Sequence, residues 1–331
     1  MKAWILRLTA LLGLAGWVYA DFSCSLDVPF PLQQPWTLHL KKGEGIRMLS
    51  QHLRVQGLLK EPLWLIVLTY GSGNSRGLKY GDYLLSPGVT PRKLLDQVVS
   101  GKSRQVPVTL IEGMRFSDVR QILAQHPVIR QEIRDKSDEE IMALLGEGGL
   151  PAEGVFFPDT YFTSSETSDL DILRKARKKM QIVLNSEWQG RDHNVPYQTA
   201  YQGLVMASIV EKETGLAEER GAIAGVFIRR LELGMRLQTD PTVIYGLGAS
   251  FDGDLRKDDL RRDTPFNTYT RSGLPPTPIA LPGKEAIHAA MHPLQGNSLY
   301  FVAKGNGGHI FSDTLEAHEK AVDQFQRHKK E

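Results

Sequence analysis

The sequence predicts a mixed α+β protein that comprises an N-terminal helix, a small module and a larger second domain. Three observations support this fold class. An apolar segment opens the chain, short segments of alternating apolar residues indicate strands, and longer segments carry apolar residues at helical spacing. The 331 residues are 41% hydrophobic and 24% charged, which is enough for a sizeable core in one large or two medium domains.

Charge and cysteine content exclude several classes of protein. Forty basic and 38 acidic side chains give a formal charge of +2, which is too balanced for the electrostatic footprint of a nucleic-acid-binding protein. The single Cys24 excludes an intramolecular disulfide framework and a cysteine-based zinc site. We therefore expect no nucleic-acid partner.

Residues 1–21 are typical of an exported protein. Lys2 and Arg7 supply positive charge, an apolar run follows from Leu8 to Ala20, and "VYA" resembles a cleavage site. The segment from Trp4 to Ala20 is also about the minimum length of a membrane-spanning helix. These residues alone support a cleaved signal and a retained anchor equally well.

Residues 22–35 carry three prolines and predict an extended linker. Residues 36–103 then predict a small module of strand, helix, strand and helix, in which "WTLHL" is the first strand and Leu94, Leu95 and Val98 lie on the last helix. No catalytic cluster is evident in this module. It is either a packing or spacer module or a binding module.

Residues 104–331 form the predicted second domain, which opens with the strand "QVPVTLIEGM". The aromatic segment "EGVFFPDTYF" follows, and its rings either pack in the core or stack against sugar rings. A later helix presents a basic face, which is either solvated or a contact to an anionic envelope surface.

Two glutamates close a predicted buried helix in "ASIVEKETG", which ends at Gly215. At helical spacing Glu213 projects about 160° away from Glu211, so the two acids cannot act as one carboxylate pair. Glu213 lies in the last turn, where the helix dipole and apolar neighbours raise the pKa of a carboxyl group, as a general acid requires. The alternative is that both glutamates are solvated and pair with Lys212, Arg220 or another base.

Three long motifs follow this helix in order: "FIRRLELGMRLQTDPTVIYGLG", "PFNTYTRSGLPPTPIALPG" and "HPLQGNSLYFVAKGNGGHIFSDTLEAHEKAV". Together with "ASIVEKET", "LIEGMR" and "EGVFFPDTYF", they closely resemble the endolytic murein transglycosylase family of YceG-like proteins. The resemblance covers nearly the whole chain and is weakest between Phe22 and Lys102.

The resemblance implies a signal anchor at residues 1–21 that spans the inner membrane once, a LysM-like module at 36–103 and a YceG-like catalytic domain at 104–331 that faces the periplasm. It implies cleavage of the β-1,4 bond between N-acetylmuramic acid and N-acetylglucosamine within nascent peptidoglycan strands, which leaves 1,6-anhydro ends and terminates elongation. The essential glutamate of the family motif Ile-x-Glu-x-Glu-Thr corresponds to Glu213. Association with penicillin-binding proteins or the elongation machinery is a further implication.

The matched motifs also suggest that four residues bind the glycan: Gln238, Asp240, Asn267 and Tyr269. Each could instead be a turn or packing residue. Two other functions remain open: a noncatalytic peptidoglycan-binding adaptor, and a muramidase-type hydrolase. A hydrolase needs a second carboxylate about 5 to 9.5 Å from the first, and Asp240 is the best candidate for it.

Four histidines raise the question of a metal site. His288 and His292 are one helical turn apart, and His309 or His318 could join them, but no acidic ligand pattern accompanies them. We therefore expect neither a metal nor a cofactor.

Overall fold

The computed structural model describes residues 2–305 and 307–327. The chain divides into two compact units. The first comprises Met1–Pro107, Pro127–Arg130 and Phe162–Thr167, and the second comprises Val108–His126, Gln131–Tyr161 and Ser168–Glu331.

The first unit is built from helices and one antiparallel strand pair. Its elements are α1 (Lys2–Asp27), β1 (Trp36–Leu40), α2 (Ile46–Val55), α3 (Pro62–Gly71), β2 (Gly81–Leu85) and α4 (Pro91–Ser100). β1 pairs with β2 in a register that sets Trp36 opposite Leu85. Fully buried leucines from the strands and helices form one core, including Leu38, Leu53 and Leu94.

Two features of the first unit differ from the sequence-based expectation. Residues 22–27 belong to α1 rather than to an extended linker, because Leu26 is fully buried and Asp27 pairs with Arg92 at 2.7 Å. α3 was not predicted at all. The module therefore has two helices between its strands.

No helix within residues 2–305 and 307–327, α1 included, reaches the length and the mean hydropathy required of a membrane span.

The second unit is predominantly helical. The strands β3 (Val106–Thr109) and β4 (Thr160–Thr163) each have residues in both units. The other elements are α5 (Phe116–Gln125), α6 (Asp138–Leu144), α7 (Asp169–Gly190), α8 (Ala200–Glu213), α9 (Ala217–Glu232), α10 (Asp240–Leu247), α11 (Lys257–Arg261), α12 (Lys284–Met291), β5 (Tyr300–Ala303), β6 (His309–Ser312) and α13 (Leu315–Val322). β3 pairs with β4, and β5 pairs with β6 in antiparallel fashion. The mixed α+β class is confirmed.

α8 is the central helix of the second unit. It packs against α7, α9, α10 and α12, and every residue from Gly203 to Val210 is buried. The Thr199 hydroxyl caps its first turn by accepting a hydrogen bond from the Gln202 amide at 3.3 Å. The buried helix predicted from the sequence is confirmed, and its last residue is Glu213.

Candidate active site

Glu213 reaches into a cavity of about 510 Å³. α8 supplies this carboxyl group, and the segment between α9 and α10 also lines the cavity. Burial raises the pKa of Glu213 to about 7, and the negative charge of Asp240 acts in the same direction. A hydrogen bond from Thr239 and the positive charge of Arg230 act against this rise. Near neutral pH the carboxyl can therefore both give and take a proton.

Thr239 is the direct partner of Glu213, because its Oγ1 donates a hydrogen bond to Glu213 Oε1. Burial and a backbone hydrogen bond fix the position of Thr239. It is 1% exposed, and its amide donates to Thr268 Oγ1 at 3.0 Å. The preceding Gln238 is the only non-glycine residue with a positive φ among those the structure describes, at 50°. Such a conformation is costly and typical of functional sites.

Asp240 begins α10 and lines the same cavity. Its Oδ1 accepts a hydrogen bond from the Tyr269 hydroxyl at 2.5 Å. Burial, followed by this contact, raises the pKa of Tyr269, so the hydroxyl remains a donor. The Asp240–Tyr269 pair thus places a negative charge and an aromatic ring beside Glu213.

Arg230 is a buried cation next to Glu213 that was not predicted from the sequence. It is 7% exposed, and its guanidinium donates to the backbone carbonyls of Leu299 at 2.7 Å and Leu237 at 2.8 Å. Its Cζ lies 5.2 Å from the ring centre of Tyr300. A signal existed, since Arg230 falls at helical spacing from the buried Ile223 and Phe227 on α9.

Aromatic side chains also line this cavity. Tyr300 stacks on His318 with ring centres 5.3 Å apart, and Phe301 meets His309 edge to face at 5.4 Å. His309 Nδ1 lies 2.6 Å from Glu219 Oε2. His309 and His318 therefore belong to this cavity rather than to a group with His288 and His292. Aromatic faces of this kind suit stacking on sugar rings.

Glu211 points away from the cavity. Its Oε2 accepts a hydrogen bond from the Gly283 amide at 2.9 Å, and its Oε1 lies 3.7 Å from Arg220 Nη2. Burial raises the pKa of Glu211, and these two contacts work against the rise. The structure thus confirms that the two acids cannot act as one pair, and the predicted pairing with Arg220 applies to Glu211.

Asn267 does not line the cavity, in contrast to Gln238, Asp240 and Tyr269. It is fully buried, and its amide donates to the carbonyls of Leu260 at 3.0 Å and Arg262 at 2.7 Å. Its Oδ1 accepts from the Tyr269 amide at 2.8 Å. These contacts support the alternative interpretation of Asn267 as a loop residue that positions Tyr269.

Two other features lie outside the cavity. Burial raises the pKa of Glu153 to about 7, but Glu153 accepts hydrogen bonds from the Phe116 amide and the Tyr245 hydroxyl elsewhere in the second unit. Its neighbours in sequence, Phe156 and Phe157, are buried, which supports core packing for the aromatic segment.

A separate cavity of about 580 Å³ near Tyr197 has no acid among its lining residues.

A single carboxyl that titrates near neutrality, in a cavity with an aromatic wall, defines an acid–base site suited to a carbohydrate. Comparison with known proteins gives the family. The YceG-like family model matches residues 38–324. The chain belongs to the YceG-like family.

Curated relatives and a solved structure agree with this assignment. A Bacillus subtilis protein named endolytic murein transglycosylase is 30% identical over 307 residues, which cover 87% of this chain and 84% of that protein. A Streptococcus pneumoniae protein of the same name is 26% identical over 95% of this chain and 63% of its own length. A crystal structure of a YceG-like protein from Listeria monocytogenes, 28% identical, matches with a TM-score of 0.57 over 88% of this chain and 100% of that chain.

Proposed function

We propose that this protein is an endolytic lytic transglycosylase that cleaves the bond between N-acetylmuramic acid and N-acetylglucosamine inside nascent peptidoglycan strands. The observation that carries the proposal is the Glu213 carboxyl, whose pKa is raised to about 7 in an open cavity. The names of the curated relatives support the same activity.

In the first step, protonated Glu213 donates its proton to the glycosidic oxygen. The bond between this oxygen and the anomeric carbon of the muramoyl residue breaks, and positive charge develops on the sugar. The N-acetyl group of the same sugar assists. Glu213 is left as a carboxylate, which the Thr239 hydroxyl and the Arg230 charge stabilise.

In the second step, the Glu213 carboxylate takes the proton from the muramoyl 6-hydroxyl. The oxygen of this hydroxyl bonds to the anomeric carbon and closes the 1,6-anhydro ring. No water is consumed, and Glu213 returns to its protonated form. One carboxyl group is sufficient for the whole cycle, with Asp240 and Tyr269 binding the sugar rather than supplying a nucleophile.

The test is mass spectrometry of the products formed by the purified full-length chain from uncrosslinked glycan strands. Wild type is compared with Glu213→Gln and with Glu218→Gln, an exposed acid in the next helix. We expect internal fragments with anhydro ends from wild type and Glu218→Gln, and none from Glu213→Gln.

The two alternative functions give different products. Fragments heavier by one water would identify a hydrolase and direct attention to Asp240. Folded wild type that binds strands but leaves them intact would identify an adaptor, and Glu213→Gln would then be fully functional.

We further propose that α1 attaches the protein to the inner membrane, with the catalytic unit on the periplasmic side. Leu11, Leu12 and Trp17 are each more than 60% exposed on α1, and such apolar surface favours a lipid environment. Cell fractionation tests this: the full chain is expected with membranes, and a chain in which a cleavable signal peptide replaces residues 1–20 is expected in the soluble periplasmic fraction. Equal distribution of both chains would refute the attachment.

The remaining parts of the proposal concern partners. The module at residues 36–103 is LysM-like and binds glycan, and the enzyme works beside penicillin-binding proteins of the elongation machinery. Sedimentation of the full chain with purified peptidoglycan, and crosslinking in cells followed by mass spectrometry, test these two points.

A further inference from the structure

A cluster of two histidines and two acids lies where α7 and α12 meet, apart from the residues that line the Glu213 cavity. His288 is on α12, and His292 follows the last residue of that helix. Glu187 is on α7, and Asp192 follows α7 closely. The sequence showed no acidic ligand pattern around the histidines, whereas the tertiary structure brings Glu187 from α7 and Asp192 from the segment after α7 beside them.

Three of these side chains converge on one point. Glu187 Oε2 lies 2.8 Å from His288 Nδ1 and 3.6 Å from His292 Nε2. The ligand atoms of the three residues all lie within 4.8 Å of one another. Tetrahedral Zn²⁺ with bonds of about 2.0 to 2.2 Å requires ligand atoms about 3.4 Å apart. The Glu187–His292 distance is already close to this spacing, the Glu187–His288 pair would have to open by about half an ångström, and the two histidine nitrogens lie within 4.8 Å of each other.

The fourth residue orients one of the histidines. Asp192 Oδ1 lies 3.1 Å from His292 Nδ1, on the far side of the ring from Glu187. A proton on Nδ1 directed at this carboxylate leaves the lone pair of Nε2 facing Glu187. Carboxylate, histidine and metal in this order are a recurrent arrangement in metal sites.

The donor set indicates which cation fits. Two imidazole nitrogens and one carboxylate oxygen suit Zn²⁺ and similar first-row transition cations, whereas Mg²⁺ and Ca²⁺ prefer oxygen ligands alone. His288 is 55% exposed, so a water molecule has room to complete the coordination.

We infer that Glu187, His288 and His292 bind a divalent transition-metal cation of the Zn²⁺ type, and that Asp192 is the positioning residue of this site. The cation would hold the end of α7 to the end of α12. Because α12 also packs on α8, the metal would stabilise the second unit without contacting the substrate. This inference does not depend on the proposed function.

The test uses the untagged full-length chain after treatment with a chelator and removal of that chelator. Titration calorimetry with ZnCl₂ measures stoichiometry and affinity, and the visible absorption of added Co²⁺ reports direct coordination by the protein. The variants are His288→Ala, His292→Ala, Glu187→Gln and Asp192→Asn. His193→Ala, an exposed histidine outside the group, is the matched control.

We expect one Zn²⁺ per chain for wild type and His193→Ala, and a higher melting temperature with Zn²⁺ than without it. The three ligand variants should lose the site and the rise in melting temperature, while Asp192→Asn should weaken binding about tenfold or more. Circular dichroism confirms that each variant is folded. The cluster would be only a network of ion pairs if wild type bound no stoichiometric Zn²⁺. The same conclusion would follow if His288→Ala and His292→Ala bound Zn²⁺ as tightly as wild type.

Discussion

At Glu213, burial and the charge of Asp240 favour the protonated carboxyl, while Thr239 and Arg230 favour the carboxylate. The balance matters because both forms are needed in one catalytic cycle. A residue with an ordinary pKa would be almost fully ionised at neutral pH and would rarely donate a proton. The neighbours of Glu213 therefore set the pH range in which the enzyme works.

Asp240→Asn tests this electrostatic role. Removing the negative charge lowers the pKa of Glu213, so a smaller fraction is protonated at high pH. We expect activity at pH 8 to fall several-fold relative to pH 5, with the alkaline limb of the pH–rate profile displaced to lower pH. The profile of Asp252→Asn, an exposed acid paired with Arg256, serves as control. A uniform loss at every pH would instead mean that Asp240 acts only by binding the substrate.

Among single residues, some site positions were accessible from sequence and others were not. Glu213 could be selected because helix geometry separates it from Glu211 and a motif surrounds it. Thr239 was overlooked between two selected residues, since a threonine carries no charge and only its contact with Glu213 reveals its role. Asn267 looked suited to substrate binding, but its side chain is hydrogen-bonded to backbone groups of α11 and of its own loop, which sequence does not show.

At the level of elements, α9 packs closely against Leu294 in the segment that follows α12. A Cβ atom at Gly225 would lie 2.4 Å from the Leu294 carbonyl oxygen, a backbone atom that cannot easily move. One turn earlier, a Cβ at Gly221 would lie 3.6 Å from Leu294 Cβ, which is an ordinary contact. The two glycines occupy the same helix face with different amounts of space.

Alanine substitutions at these two glycines should have opposite effects. Gly225→Ala should destabilise the protein by about 1 to 3 kcal/mol through overpacking. Gly221→Ala should stabilise it by up to about 1 kcal/mol, because alanine favours a helix interior over glycine. Thermal unfolding of both variants and wild type measures the difference. Similar melting temperatures for the two variants would contradict the packing described for α9.

Prediction of whole elements succeeded where local signals were strong. α8 has a capping threonine, a proline-free apolar run and a glycine just beyond its end, so its bounds could be predicted closely. α3 was missed because "PLWLIVLTYG" is apolar on nearly all sides and shows no helical period. The extension of α1 to Asp27 depends on contacts with α3 and α4, distant in sequence.

For the whole molecule, the raised pKa values of Glu153 and Glu213 link stability to pH. For both carboxyl groups the pKa in the folded protein lies above the pKa in the unfolded chain. Their contribution to the free energy of unfolding is therefore fully present below about pH 4.5 and is lost as pH rises through about 7. Asp263, whose pKa is lowered to about 2 by Arg271, contributes in the opposite sense and only in acid. Stability should therefore decline between pH 5 and pH 8.

Glu213→Gln should remove part of this decline. Each of the two glutamates lowers the free energy of unfolding by about 3 kcal/mol between acid and alkaline pH. The variant should be more stable than wild type at pH 8 and no more stable at pH 5, measured by chemical denaturation at both values. Parallel pH dependence in the variant and wild type would show that Glu213 ionises freely in the folded protein. Glu218→Gln, at an exposed position, is the control.

Gln238, Thr239 and Asp240 are consecutive, yet each meets a different part of the site. The Gln238 amide donates to the Thr268 carbonyl at 3.1 Å, Thr239 donates to Glu213, and Asp240 accepts from Tyr269. Deleting one residue from this segment would displace the Gln238 amide and the Thr239 and Asp240 side chains from their partners simultaneously. Among relatives, this segment should therefore vary by exchange of residues at constant length, and gaps in an alignment should fall in the exposed turn around Gly253 instead.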